Sequence, residues 1–127
     1  MELRELELRP GVSVTLCRAT VYTYVFSVSY EERFGAQFAD SATLNSYWRS
    51  FTICASQTKR ITGDGWQPPA LTATAEQVAA SFEAWMTAFS GDEITAWLIA
   101  IGEINAPLVA AELAPEWTPG ADSDPKA

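Results

Sequence analysis

Two short phrases, Thr74-x-x-Gln77 and Ser90-x-x-Glu93, start sixteen residues apart. Each has the form of a capping box, in which a hydroxyl accepts from the backbone N–H three residues on and the acid or amide reaches back to the cap. Two helix starts at this spacing leave almost no loop between the helices. The chain must turn sharply there, and the two helices must pack on each other. The apolar residues agree with this at helical period: Ala75, Val78, Ala79, Phe82, Trp85, Met86 and Phe89 stripe the first helix, and Ile94, Trp97, Leu98, Ile101 and Ile104 the second. Ala106-Pro107 is expected to end the second helix, because the residue before a proline avoids the α region. Pro107 could then open one more turn through Leu113.

The N-terminus has period two instead. Leu6, Leu8, Val12, Val14 and Leu16 alternate with Glu5, Glu7, Ser13 and Thr15 on either side of Arg9-Pro10-Gly11, which reads as an antiparallel hairpin. Residues 21–30 are rich in β-branched and aromatic side chains, which favours a strand. Yet Val21, Tyr24, Val25 and Val28 share one helical face, and residues 31–38 read as helix, so a strand then a helix, or one long helix from Thr20, both fit. Asp40 or Ser41 then caps a helix striped by Leu44, Tyr47, Trp48, Phe51, Cys54 and Ala55. Lys59 and Arg60 suit the last turn of that helix and Gly63 its stop, with a loop over residues 62–69. From Pro115 the chain is mostly Pro, Gly, Asp and Ser, an expected acidic disordered tail. The fold class is therefore α+β and mainly α: an N-terminal β-hairpin followed by a small bundle of about four helices. Residues 1–114 form one globular domain, for which 127 residues with 48% hydrophobic and 12% aromatic side chains suffice.

There is no histidine, which removes the commonest general base and the commonest metal ligand together. Cys17 and Cys54, with 36 residues between them, form no C-x-x-C and are expected to be reduced packing residues. Asp92 and Glu93 fall in a first helical turn, where acids cap. Glu76 and Glu83 lie on a polar helix face, and Asp64 sits in a turn. No nucleophile-base-orienter set and no phosphate loop can be assembled. The expectation is a protein that is not an enzyme and uses no metal or cofactor.

Met1 is followed by Glu2, without the basic and apolar regions of a secretory signal, and the longest apolar stretch, residues 19–30, is too short for a bilayer. A cytoplasmic, membrane-free protein is expected. Residues 1–60 carry seven Lys/Arg against six Asp/Glu, a net of +1; residues 61–127 carry ten acids against Lys126, a net of −9, for −8 in all. Nucleic-acid binding needs clustered cations, so no nucleic-acid partner is expected. Binding of another protein remains. Trp48, Trp85 and Trp97 lie on apolar stripes and read as core. Trp66 and Trp117 sit in Pro/Gly-rich segments, either as exposed interface anchors or folded back as lids over the helix pair.

The order of elements resembles the tail assembly chaperones of long-tailed bacteriophages. The resemblance rests on a hairpin ending in Val-Thr-Leu-Cys-Arg-Ala-Thr20, an Ile-Thr-Gly-Asp-Gly-Trp66 loop, Phe-Glu-Ala-Trp85 and Ala-Trp-Leu-Ile-Ala-Ile-Gly-Glu-Ile-Asn-Ala-Pro107, and covers roughly residues 12–107. These phrases are short and mostly apolar, and the very aromatic segment after Thr20 departs from the family. The resemblance implies a helix after Thr20, a non-enzymatic chaperone in the host bacterial cytoplasm, and a tape measure protein and tail tube protein as partners, with self-association compatible. In such families a longer frameshifted form often adds a segment after the C-terminus. The rival classes are a small phage structural or adaptor protein that stays in the particle, and an acidic nucleic-acid-mimic inhibitor. Trp66, Leu108, Val109, Leu113 and Trp117, outside the striped helices and in the acidic half, are the expected partner-binding residues.

Overall fold

The computed structural model describes residues 3–113, with side chains described to residue 106. Strand β1 (Leu3–Arg9) turns through Gly11 into β2 (Val12–Cys17). Helix α1 (Val21–Phe34) follows, then a 3-10 turn (Gly35–Phe38), α2 (Ala42–Gln57), β3 (Thr58–Thr62), α3 (Ala75–Ala88) and α4 (Gly91–Leu113). The fold is α+β and mainly α, as expected. Its sheet has three antiparallel strands in the order β1-β2-β3.

The hairpin has the expected turn. Gly11 has φ +84°, the left-handed region that glycine enters without steric cost. Gly63, at φ +92°, ends β3 beside it, and a Cβ there would run into the Gly11 carbonyl oxygen. One extra residue bulges from each outer strand. The pairing passes from Glu7↔Ser13 to Arg9↔Val12 around Leu8, and from Thr15↔Arg60 to Leu16↔Thr58 around Lys59.

Both expected capping boxes close. Thr74 accepts from Gln77 N at 3.2 Å and Gln77 Oε1 from Thr74 N at 2.9 Å. Ser90 accepts from Glu93 N at 3.2 Å and Glu93 Oε1 from Ser90 N at 2.7 Å. A third box decides the ambiguous segment. Thr20 accepts from Thr23 N at 3.3 Å, while Thr23 Oγ1 accepts from Thr20 N at 2.7 Å. Residues after Thr20 are therefore helical despite their strand-like composition.

Two expected boundaries are corrected. The helix capped by Ser41 stops at Gln57, and Lys59 and Arg60 lie on β3 instead of in its last turn. A central strand needs backbone partners on both sides, and Thr58, Ile61 and Thr62 are β-branched; pairing with β2 outweighs a favourable charge at a helix end. Helix α4 runs through Pro107 to Leu113 as one element. An interior proline loses its i→i−4 bond and crowds the carbonyl four residues back, at about 3 kcal/mol, yet the helix continues among Ala106, Ala110 and Ala111, which are strong helix formers.

The core is a chain of aromatic rings. Phe26 stacks on Tyr30 at 4.4 Å, Tyr30 lies 6.4 Å from Trp48, and Trp48 meets Phe82 edge-on at 5.4 Å. Phe51 meets Trp85 at 5.5 Å, Trp85 lies 6.3 Å from Trp97, and Phe89 meets Trp97 at 5.2 Å. Trp48, Trp85 and Trp97 are fully buried. Trp48→Ala or Trp85→Ala should each cost about 3–5 kcal/mol, the usual range for aromatic truncation in a core. Urea unfolding of both variants checks this; a loss below about 1 kcal/mol would show that the rings are not packed as described.

Candidate functional site

Of the expected binding residues, Trp66 alone has a described side chain. Trp66 is only 7% exposed, so its expected role as an exposed anchor is corrected. Asp64 Oδ1 accepts from Trp66 N at 2.9 Å, a side-chain turn that drives the indole inward. Its Nε1 donates to the Ser81 carbonyl at 3.1 Å and to Ser81 Oγ at 3.0 Å, and its ring meets Trp97 edge-on at 5.9 Å. A loop rich in glycine and proline delivers a core residue here. Leu108, Val109 and Leu113 belong to α4, but their side chains lie outside the described residues, as does Trp117 altogether.

Two of the acids that could have done chemistry, Asp64 and Glu93, hold the fold. Arg9 Nη1 donates to Glu93 at 2.9 and 3.0 Å and to the Ala88 carbonyl at 3.2 Å, and Arg9 Nη2 to Asp64 at 3.3 Å. One guanidinium thus joins the hairpin, the loop before Trp66 and the turn between α3 and α4. The Ser90 backbone N–H, with Arg9 beside it, holds the Glu93 carboxyl below its ordinary value. Burial pushes both thiols up, Lys59 opposing this slightly at Cys17, so neither is a thiolate nucleophile at neutral pH. Tyr30, also pushed up by burial, to about 12, donates to the Ala70 carbonyl. Among the described residues, no three His, Cys, Asp or Glu side chains gather as a metal site would require, and no helix is long and apolar enough to cross a membrane.

What stands out is the outer face of α1. The helix buries Thr23, Phe26, Tyr30 and Phe34. The valine-rich face therefore points away from the core: Val21 is 81% exposed, Tyr24 70% and Val25 46%, while Tyr22, 58% exposed, lies on the flank against Phe26. Sequence pattern found this stripe but not its direction, because two apolar faces compete on one helix and only packing chooses between them. At the foot of the helix lies a groove of about 450 Å³, lined by Cys17, Tyr22, Phe26, Lys59, Pro68 and Pro69 among others. Lys59, which lines it, is exposed, and the first turn of α1 contains no acid. A smaller groove of about 230 Å³ lies between Tyr47, Met86, Phe89 and Ile94.

Asn105 is a residue that sequence reading missed. Its Oδ1 accepts from Ala19 N and Gln57 Nε2, both at 3.0 Å, while its Nδ2 donates to Gln57 Oε1 at 3.2 Å. Gln57 Nε2 also donates to the Cys17 carbonyl at 3.0 Å. This amide pair fixes α4 and the end of α2 against the chain entering α1. Compared with known proteins, the chain matches no family model, no curated sequence and no solved structure.

Two outcomes follow from these contacts. Trp66→Ala should destabilise the protein by about 3–5 kcal/mol in the same urea assay, as a core truncation; an unchanged midpoint would return Trp66 to the surface. Glu93 has a folded pKa below its unfolded value of about 4.3, so its contribution is complete above that value and is lost as pH falls through the folded one. Below about pH 4.3 the melting temperature should therefore fall more steeply for the wild type than for Glu93→Gln. Parallel profiles would deny Glu93 this role.

Proposed function

We propose that this protein is a non-enzymatic assembly chaperone that holds an elongated helical client against the outer face of α1. The observation that carries the reading is the set of exposed large side chains on that one face, Val21, Tyr24 and Val25, with exposed Tyr22 on the flank where the groove begins. A folded domain gains nothing in stability from apolar side chains held in water, and such a patch rimmed by polar residues suits a partner. Tyrosines suit it further, because their large rigid rings bind with little loss of side-chain entropy. An amphipathic client helix laid along α1 would bury them in the helix-in-groove manner.

The resemblance to tail assembly chaperones supplies the client: the tape measure protein, whose apolar helical surface needs cover until tail tube subunits replace it. The protein would do this work in the host bacterial cytoplasm and recruit the tube protein there. Of the rivals, the acidic mimic is the less favoured. Asp64 and Glu93 are engaged by Arg9, and Glu103 Oε1 lies 2.6 Å from Arg4 Nη1. These acids are partly neutralised within the fold instead of being laid out as a phosphate-like row. The earlier placement of the client on the acidic half loses Trp66; the α1 face takes over as the proposed primary contact.

Tyr24→Asp and Val25→Asp test the proposal, because both side chains are exposed and can change with little effect on folding. Each should weaken binding of the tape measure protein by about 1–3 kcal/mol, roughly fivefold to 150-fold in Kd. The melting temperature should stay within about 2 °C of wild type, as for surface substitutions. Unchanged affinity in both variants, measured by titration calorimetry, would remove α1 as the client site.

A further inference from the structure

We infer that the outer edge of β1 is a docking edge for an extended basic segment of another protein, which joins the sheet there as a fourth strand. This surface is separate from α1 and does not depend on a client binding to that helix.

The register shows which backbone groups are open. Ile61 N–H donates to Gln67 Oε1 at 3.3 Å, and the Ile61 carbonyl accepts from Gln67 Nε2 at 3.0 Å. Ile61 therefore turns its backbone away from β2, and Val14 opposite it turns towards β1. Antiparallel pairs alternate, so Leu6↔Val14 and Arg4↔Leu16 exchange hydrogen bonds, while Leu3, Glu5 and Glu7 direct their N–H and C=O groups outwards. Among the described residues, these outward groups have no partner in the protein. The two edges of the sheet thus differ. The Gln67 amide covers the middle of β3 as a strand would, whereas β1 stays open over residues 3–7, up to the bulge at Leu8. A row of unpaired N–H and C=O groups is a template for another strand.

The side chains select what pairs there. Leu6 and Leu8 pack towards the core, and Arg4 reaches Glu103 of α4. Glu5 and Glu7 stand exposed on the other face, and neither forms an ion pair among the described residues. A second copy of β1 is a poor match. Outward residues must oppose outward residues, so a two-fold axis between two copies passes through a residue position. Leu3 is too near the strand end and Leu8 is bulged, which leaves positions 4 to 7. Taken in turn, these set Arg4 against Arg4, Glu5 against Glu5, Glu5 against Glu7, and Glu7 against Glu7. Like charges directly opposite are destabilising. A strand with Lys or Arg at every second position instead sets one cation opposite Glu5 and another opposite Glu7, with Cβ atoms about 5 Å apart. The spacing of the two carboxylates is the period of the incoming strand. Main-chain bonds to Leu3, Glu5 and Glu7 then supply affinity, and the carboxylates supply selection.

The test uses the full ¹⁵N-labelled chain and a capped peptide of about seven residues, alternating lysine and valine. At about 90% occupancy, exchange of the Leu3, Glu5 and Glu7 amides should slow about tenfold. The Arg4 and Leu6 amides, already bonded to β2, should change little. Glu5→Pro removes an outward N–H that the native ladder does not use, a position where edge strands accept proline, and should abolish the effect. Glu5→Lys combined with Glu7→Lys should weaken peptide binding about tenfold, as should glutamate in place of lysine in the peptide. Outer amides already protected in the free protein would overturn the inference, because the edge would then be occupied. So would a lysine peptide that, at millimolar concentration, leaves these amides unmoved or moves amides along β1 without alternation. Equal binding of the glutamate peptide would overturn the basic partner.

Discussion

The packing of Trp85 and Trp97 against the rings around them is the constraint on which the other contacts depend. These two indoles meet at the junction of α3 and α4, and Phe51 of α2, Trp66 of the connecting loop and Phe89 at the turn all pack on them. Most of the indole N–H groups in this core are placed as carefully as the rings. Trp97 donates to Thr58 Oγ1 at 3.0 Å, Trp66 to Ser81 and Trp48 to Glu31 Oε1 at 2.9 Å. Each such bond ties a helix to the next element in space: α4 to the start of β3, the loop to α3, α2 to α1. Trp85 Nε1 is the one buried side-chain polar atom among the described residues without a hydrogen-bond partner. Leaving a buried donor unmet costs about 1–3 kcal/mol, so the shape of the Trp85 rings, and not their polarity, must supply the gain at that position.

This core dictates what is left outside. Phe26, Tyr30 and Phe34 complete the ring chain from α1, and Arg33 clamps the helix to the loop by donating to the Leu71 and Ala73 carbonyls at 2.8 and 2.9 Å. The rotation of α1 is thereby fixed from its inner side. Its opposite face has no partner among the described elements, although its side chains are those of a core. Surface tyrosines and valines at such a density have no structural task, and a task in recognition is the economical physical account of them.

Local signals in the sequence carried much of the fold. The hairpin, the turn at Gly11, the Ser41 cap and the boxes at Thr74 and Ser90 each depend on residues within a few positions of one another, and each was legible. The rest depended on distant partners. Strand β3 exists because β2 has a second edge to satisfy, which nothing in Thr58–Thr62 announces beyond its β-branched residues. The box at Thr20 uses threonine where glutamate or glutamine is usual, so its signal was weak. Trp66 looked exposed because its neighbours are turn formers; the Asp64 turn that sends it inward is visible only once the Ser81 acceptors are in place. The candidate surface was half legible: the stripe on α1 could be seen, but its outward direction follows from the competing Phe26-Tyr30-Phe34 face winning the core.

Hydrogen exchange, followed by mass spectrometry with and without the tape measure protein, tests most directly whether the outer face of α1 is the contact. Exchange across residues 20–30 should slow markedly in the presence of the client, while α3, which faces the core and solvent, should be unaffected. Unchanged exchange over residues 20–30, with protection confined to α4 beyond Asn105 or absent throughout, would contradict it.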